Sequence, residues 1–274
     1  MNIPKDKDAL EILKETSRTF YIPISQLPSG LKEAVASAYL CMRAIDEIED
    51  HRDLDNFTKA KLLRKISLVL QEAVDHSSFL NFSEKLDLNI SHLPEVTKRV
   101  GEWAILASAT IAPRIWDETA AMADRMAYWA ENNWTIHTES DLDRYTFSVA
   151  GAVGLLLSDL WSWYDNTQTN RTQAIGFGRG LQAVNILRNH SEDLVRGVDF
   201  FPHGWSAQNM QAYAQRNLLL ADSYTNSLPS GPAKNFCQIP LTLAHATLDI
   251  LTMGQEKLTR SEVMELISRC NNSA

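Results

Sequence analysis

The sequence predicts an all-α protein organised as one domain over residues 1–274. Apolar residues recur at helical spacing almost throughout, and alternating strand patterns are nearly absent. No repeat, low-complexity tract or linker divides the 274 residues. With 45% hydrophobic residues and seven Trp, a sizeable helical core is affordable.

The first strong element spans 31–50, LKEAVASAYLCMRAIDEIED, which lacks Gly and Pro and follows the loop Pro28-Ser29-Gly30. A helical stretch over 95–135 is expected to break near Pro113. Residues 141–164 and 172–196 read as two more helices, the second stopped by Gly197. Helices follow over 206–226 and 240–254, with a short one from about Ser261. The segments HGWSAQN (203–209) and SLPSGPAKN (227–235) carry loop residues.

The formal net charge of −8, from 26 Lys+Arg and 34 Asp+Glu, argues against a nucleic-acid binder. An anionic substrate remains compatible with that charge, because a bound divalent cation reverses the local sign. The cysteines Cys41, Cys237 and Cys270 form no CxxC pair; Cys41 reads as a core thiol, and the odd count fits a reducing, cytoplasmic setting. The N-terminus MNIPKDKDALEILKE lacks the apolar core of a leader, and no run reaches about 18 apolar residues, so no membrane span is expected.

The richest segment is Arg43-Ala44-Ile45-Asp46-Glu47-Ile48-Glu49-Asp50. On a helix, Tyr39, Arg43, Asp46 and Asp50 share one face. Two carboxylates one turn apart can hold Mg²⁺ against phosphate oxygens, and an Arg one turn away can add phosphate contacts. The plain alternative is a solvated acidic helix end; Cys41 and Met42 weigh against it by suggesting a largely buried helix. A second stripe, Gln182, Asn185, Asn189 and Asp193, runs at steps of three, four and four residues, with Arg188 and Glu192 beside it. Alone it could equally be a hydrogen-bonded seam between helices.

Taken together these residues resemble the squalene/phytoene synthase family. Ser17-Arg18-Thr19-Phe20 resembles its N-terminal element, and Tyr39 to Asp50 its first aspartate motif. Tyr145-Thr-Phe-Ser-Val-Ala-Gly-Ala-Val-Gly154 resembles its Val-Ala-Gly helix, and Gln182 to Asp193 its second motif. Pro240-Leu and Lys257-Leu-Thr-Arg260 resemble its C-terminal helices, so the matches run in order over most of the chain. The resemblance implies a class I isoprenoid-synthase-like helical bundle with a central pocket. It implies Mg²⁺ held by Asp46, Asp50 and Asp193, with Asn189 a further candidate. It implies head-to-head joining of two prenyl diphosphates, with diphosphate contacts from Arg43 and Arg188. Ser17, Thr19, Phe20, Tyr39, Gln182 and Asn185 would bind substrate, and Tyr145 would manage protons or cations. NADPH is compatible but not readable, and an apolar product implies peripheral membrane contact for its release.

Two departures stand out. Asn189 occupies a position the family usually fills with Asp, which removes a negative charge. Gly197-Val198-Asp199-Phe200-Phe201-Pro202 replaces the usual Gly-Arg-x-Tyr-Leu-Pro, losing a cation at Val198 and a hydroxyl at Phe200. These open two alternatives: a prenyl diphosphatase or terpene cyclase acting on one substrate, and a non-catalytic binding or assembly protein. Gly176-Phe-Gly178-Arg-Gly180 reads as close helix packing rather than a dinucleotide loop, because no strand precedes it. Gly151 and Gly154 suggest close approach or a local bend. The scattered His residues form no metal pair, and Ser148 and Ser158 have no triad partners at interpretable spacing.

Overall fold

The computed structural model describes residues 6–80, 82, 92–255 and 257–272; residues 1–5, part of the segment read for a leader, lie outside it. Every regular element in the described residues is helical, and none of these helices is long and apolar enough to cross a membrane. Contacts fall into two compact units, Met1–Asn133 and Trp134–Ala274. The boundary is a turn at Asn133 and Trp134, whose φ values are 52° and 48°. Left-handed backbone at a non-glycine pair has no compositional signature, which is why no linker is visible there.

The N-terminal unit contains α1 (Asp6–Thr16), α2 (Arg18–Ser25), α3 (Leu31–Glu49), α4 (Asn56–Gln71), α5 (Glu95–Lys98), α6 (Val100–Ala104) and α7 (Ala112–Glu131). Helix α3 runs through its middle, packed on α5, α6 and α7, while α4 lies along α7. Leu40, Cys41, Ala44, Ile45 and Ile48 are fully buried, so one side of α3 is core. Cys41 is the expected core thiol, and burial pushes it up to about 12. Polar bonds fix the packing: Ser37 Oγ donates to Trp103 O at 2.7 Å, and Thr97 Oγ1 to Ala44 O at 2.9 Å. Trp103 and Trp116 bury their rings and donate their indole N–H groups to Val96 O and Ala104 O, at 2.8 and 2.7 Å.

The 95–135 stretch differs from its expectation. It forms two short helices, an irregular piece over 105–111, and α7. Pro113 opens α7 at its first positions, where its missing N–H costs nothing. The break comes from Ser108 and Thr110, whose side chains bond locally and compete with the helix.

The C-terminal unit contains α8 (Glu139–Thr146), a π-helical turn (Phe147–Gly151), α9 (Ala152–Asp165), α10 (Arg171–Val195), α11 (Ala207–Ser227), α12 (Pro232–Thr252) and α13 (Arg260–Asn272). Helix α10 packs along α11 and also touches α9 and α12. Glycines allow this. A Cβ on Gly178 would stand 2.0 Å from Ala150 O, and one on Gly154 2.0 Å from Ala174 O. Gly176 and Gly180 face Leu220 and Leu218 of α11. The glycine-rich run is therefore a packing surface, as its context suggests. The expected 141–164 helix is continuous but widened by the π turn ending at Gly151, the local bend anticipated there.

Helix α12 starts eight residues earlier than expected. Gly231 and Pro232 open it, so 232–235 is helix rather than loop, and Pro240 sits inside without ending it. Buried Cys237 and Ile239 before it and Leu241 and Leu243 after it anchor both sides of that gap, so packing overrides the lost hydrogen bond. Gly197 (φ 80°) follows α10, whose cap is Arg196, as the sequence implies.

Gly178→Ala is expected to destabilise the protein by about 3 kcal/mol, because the clash is with backbone. Gly197→Ala, with open space around it but φ positive, should cost about 1–2 kcal/mol. Urea unfolding curves of the two variants compare the costs; equal losses would contradict the close-approach account.

Candidate active site

Helix α3 builds the first face. Tyr39, Arg43 and Asp46 lie on successive turns, and Asp50 is the C-cap, its N–H donating to Asp46 O at 2.8 Å. Burial raises the Tyr39 hydroxyl, partly countered by a hydrogen bond with the Ser17 side chain. Ser17 also caps α2, accepting the Phe20 N–H at 3.1 Å, and the Phe20 ring lies 5.6 Å from Tyr39. Ser17 and Phe20 thus gather around Tyr39, while Thr19 is half-buried on the same helix.

Arg43 donates from Nη1 to Asp46 Oδ2 at 3.3 Å and from Nη2 to Glu47. Its Nε–H is buried without a partner among the described residues. An orphan guanidinium donor beside carboxylates suits an anionic ligand. Burial pushes the Asp46 carboxyl up to about 6, with Arg43 pulling the other way and Asp50 and Glu47 adding to the rise. Yet 38% of its side chain is reached by solvent. The group is crowded by protein and still open to water. Glu47, absent from the sequence-derived set, was legible as the i+4 partner of Arg43.

Helix α10 builds the second stripe. Gln182, Asn185 and Asn189 are half-buried, and Asp193 is buried. Arg188 donates to Asn185 Oδ1 at 2.7 Å and to Asn189 Oδ1 at 3.1 Å; Asn189 Nδ2 reaches Asn185 Oδ1 at 3.3 Å. Asp193 Oδ1 accepts from Arg196 at 2.6 Å. The one atom of Asn189 able to ligate a cation is therefore engaged by Arg188 in this conformation.

The departures after α10 acquire roles. Phe200, lacking the hydroxyl, stacks on Tyr145 with centroids 4.6 Å apart, and both rings are buried. Asp199 accepts the Phe201 N–H at 2.9 Å and lies 3.3 Å from His190 Nε2, and His190 stacks on Phe201 at 3.8 Å. None of these stacking pairs was legible in spacing, since each joins a helix to a loop. Ser148 bonds Arg144 O, and Ser158 bonds Gly154 O and the Tyr224 hydroxyl.

The family model described as squalene/phytoene synthase matches residues 13–213. This chain belongs to the squalene/phytoene synthase family. It is 30% identical to the squalene synthase of Schizosaccharomyces pombe, over 90% of this chain and 60% of that protein. It is likewise 30% identical to squalene synthase BSS of Botryococcus braunii, over 90% of this chain and 59% of that one. The chain thus spans about 60% of the length of these relatives. Among solved structures, the complex of TcSQS with the ligand BPH1237 matches with a TM-score of 0.78 at 22% identity, covering 96% of this chain and 85% of that one. A dehydrosqualene synthase in complex with a ligand matches at 0.67 and 17% identity, over 97% and 94% of the two chains. These likenesses establish the all-α isoprenoid-synthase fold.

Among the described residues, no three His, Cys, Asp or Glu side chains converge on a cation position. The donors on α3 nevertheless suit Mg²⁺, which takes one or two carboxylates and completes its shell with water and substrate phosphate.

The raised Asp46 sets a pH test on the metal-free protein. Its native value, about 6, exceeds the ordinary Asp value of about 4, so the native state holds the proton more tightly. Stability from this group is present below about pH 4 and lost as pH rises through about 6. Asp46→Asn should therefore melt higher than the parent at pH 7, with the gap closing toward pH 4. Melting curves across that range check the sign; a gap independent of pH would contradict it.

Proposed function

We propose that this chain joins two prenyl diphosphates head-to-head, with Mg²⁺, to a squalene- or phytoene-type hydrocarbon. The observation that carries the reading is the α3 face. Two carboxylates lie one turn apart at a helix end, beside a guanidinium with an unused N–H, in a chain of this family. Asp46 and Asp50 would hold Mg²⁺ at the end of α3; Asp193 and Asn189 on α10 are the further ligands the family resemblance implies. When bound, the metal neutralises charge on the leaving diphosphate. Arg43 orients the diphosphate through its free Nε–H, and Tyr39, held by Ser17 and Phe20, borders it. Arg188 is a second diphosphate contact once it leaves Asn189. Tyr145, pinned under Phe200, is the candidate for proton or cation management. The names of the relatives, squalene synthases, support this substrate class.

A second reading, ionisation of one prenyl diphosphate to an alcohol or cyclised product, draws on the second stripe. Asn189 brings no charge, and its oxygen is occupied by Arg188. Val198 and Phe200 also leave out a cation and a hydroxyl.

Incubation with farnesyl or geranylgeranyl diphosphate and Mg²⁺, with and without NADPH, separates the two. The expected product is dimeric hydrocarbon, its reduction state set by NADPH. Farnesol or geranylgeraniol alone would select the second reading, and absence of both turnover and ligand-induced thermal stabilisation would favour a non-catalytic protein. Asp50→Asn should lower turnover by about 100-fold or more, about 2.7 kcal/mol in the barrier. Asn189→Asp should lower the Mg²⁺ needed for half-maximal rate; unchanged rate and Mg²⁺ dependence would show that the missing charge is immaterial.

A further inference from the structure

Helix α3 ends in an electrostatically awkward way. Its last turn carries Asp46, Glu47 and Glu49, Asp50 caps it, and no basic residue lies in that turn. A helix C-terminus already bears partial negative charge, so acids there repel both it and one another. Arg43 offsets this from one turn upstream, where it pairs with Asp46 and Glu47. At the end of the helix the compensation comes from another element. Lys59, on the first turn of α4, is 9% exposed, and its Nζ donates to Glu49 O at 2.6 Å. Buried lysines are rare because desolvating an ammonium is costly, and this one also sits at the positive end of its own helix. The negative end of α3 contributes to making the position tenable. The start of α4 is itself set by Asp55, which accepts the Thr58 N–H at 2.7 Å on its side chain and the Lys59 N–H at 2.9 Å on its carbonyl.

We infer that Lys59 is the positioning residue of the first acidic motif: its ammonium keeps the last turn of α3 closed, so that Asp46 and Asp50 present their carboxylates on one face. Asp50 depends on this most. It is the cap, and its place is fixed through its N–H bond to Asp46 O within that turn. The inference rests on the Mg²⁺–diphosphate reading of that face.

The test uses three variants, and a calorimetric titration precedes two measurements on them, steady-state kinetics and hydrogen exchange. Calorimetric titration of Mg²⁺ with inorganic diphosphate into the unaltered protein comes first; no binding there means that the reading itself fails. Given binding, Lys59→Met, which keeps the apolar stem but removes the ammonium, should raise half-saturating Mg²⁺ at least 10-fold. The KM for prenyl diphosphate at saturating Mg²⁺ should change less than 3-fold. Lys59→Arg should restore the Mg²⁺ dependence to within about 3-fold, and Lys59→Gln, which keeps a donor without charge, should fall between. Hydrogen exchange of the Asp50 and His51 amides should speed up at least 10-fold in Lys59→Met without a matching change in α7. Unchanged Mg²⁺ dependence in a folded Lys59→Met would overturn the inference. So would a lowered Mg²⁺ requirement, which would make Lys59 only a repelling charge. Should Lys59→Met fail to fold, Lys59→Gln carries the same two measurements.

Discussion

Acids gathered at the negative end of a buried helix are the constraint on which the rest of the N-terminal unit depends. Four carboxylates in and just beyond the last turn of α3 repel one another and the helix dipole. Such a place is poor for anions and good for a divalent cation. The proposed Mg²⁺ would relieve the repulsion that this arrangement creates in the metal-free chain. Arg43 and Lys59 hold it together, Arg43 from within the helix and Lys59 from α4. Burial raises the Asp46 carboxyl, Arg43 opposes the rise, and Asp50 and Glu47 add to it.

The second stripe has the opposite character. Its amides and Arg188 satisfy one another, and Asp193 is tied to Arg196. Helix α10 is held rigidly by glycines that let it approach the backbone before α9 and the side chains of α11. The polar face of α10 is satisfied within itself, whereas on α3 the buried Arg43 Nε–H has no partner among the described residues. That asymmetry deepens the one visible in composition, where the first motif is intact and the second has lost a charge.

The loop after α10 shows how substitutions that remove chemistry can add packing. Phe200 lacks the phenolic hydroxyl and lays its ring on Tyr145, and Phe201 stacks on His190. Asp199, without a place in sequence terms, ties that loop through Phe201 N–H and lies against His190. The loop is built into the C-terminal unit by aromatic contact rather than by charge.

Most helices were legible because a one-sided apolar period is a local property, and the stripe from Tyr39 to Asp50 follows from 3.6 residues per turn. Gly176 to Gly180 could be read as packing because no strand precedes them. Pro113 and Pro240 were misread for a common reason: a proline's effect depends on whether it opens a helix or is clamped by buried neighbours, and local sequence does not say which. By itself, the sequence determined the helical class, the face shared by Tyr39, Arg43, Asp46 and Asp50, and the missing charge at Asn189. Only the tertiary structure decided that Ser17 and Phe20 gather on Tyr39, that Arg188 occupies Asn189, and that Lys59 closes the end of α3. The Arg188–Asn189 bond joins neighbours on one helix and depends on the rotamers chosen; the other two are contacts between elements, set by packing and desolvation, and helical periodicity does not encode which distant side chain fills a given gap.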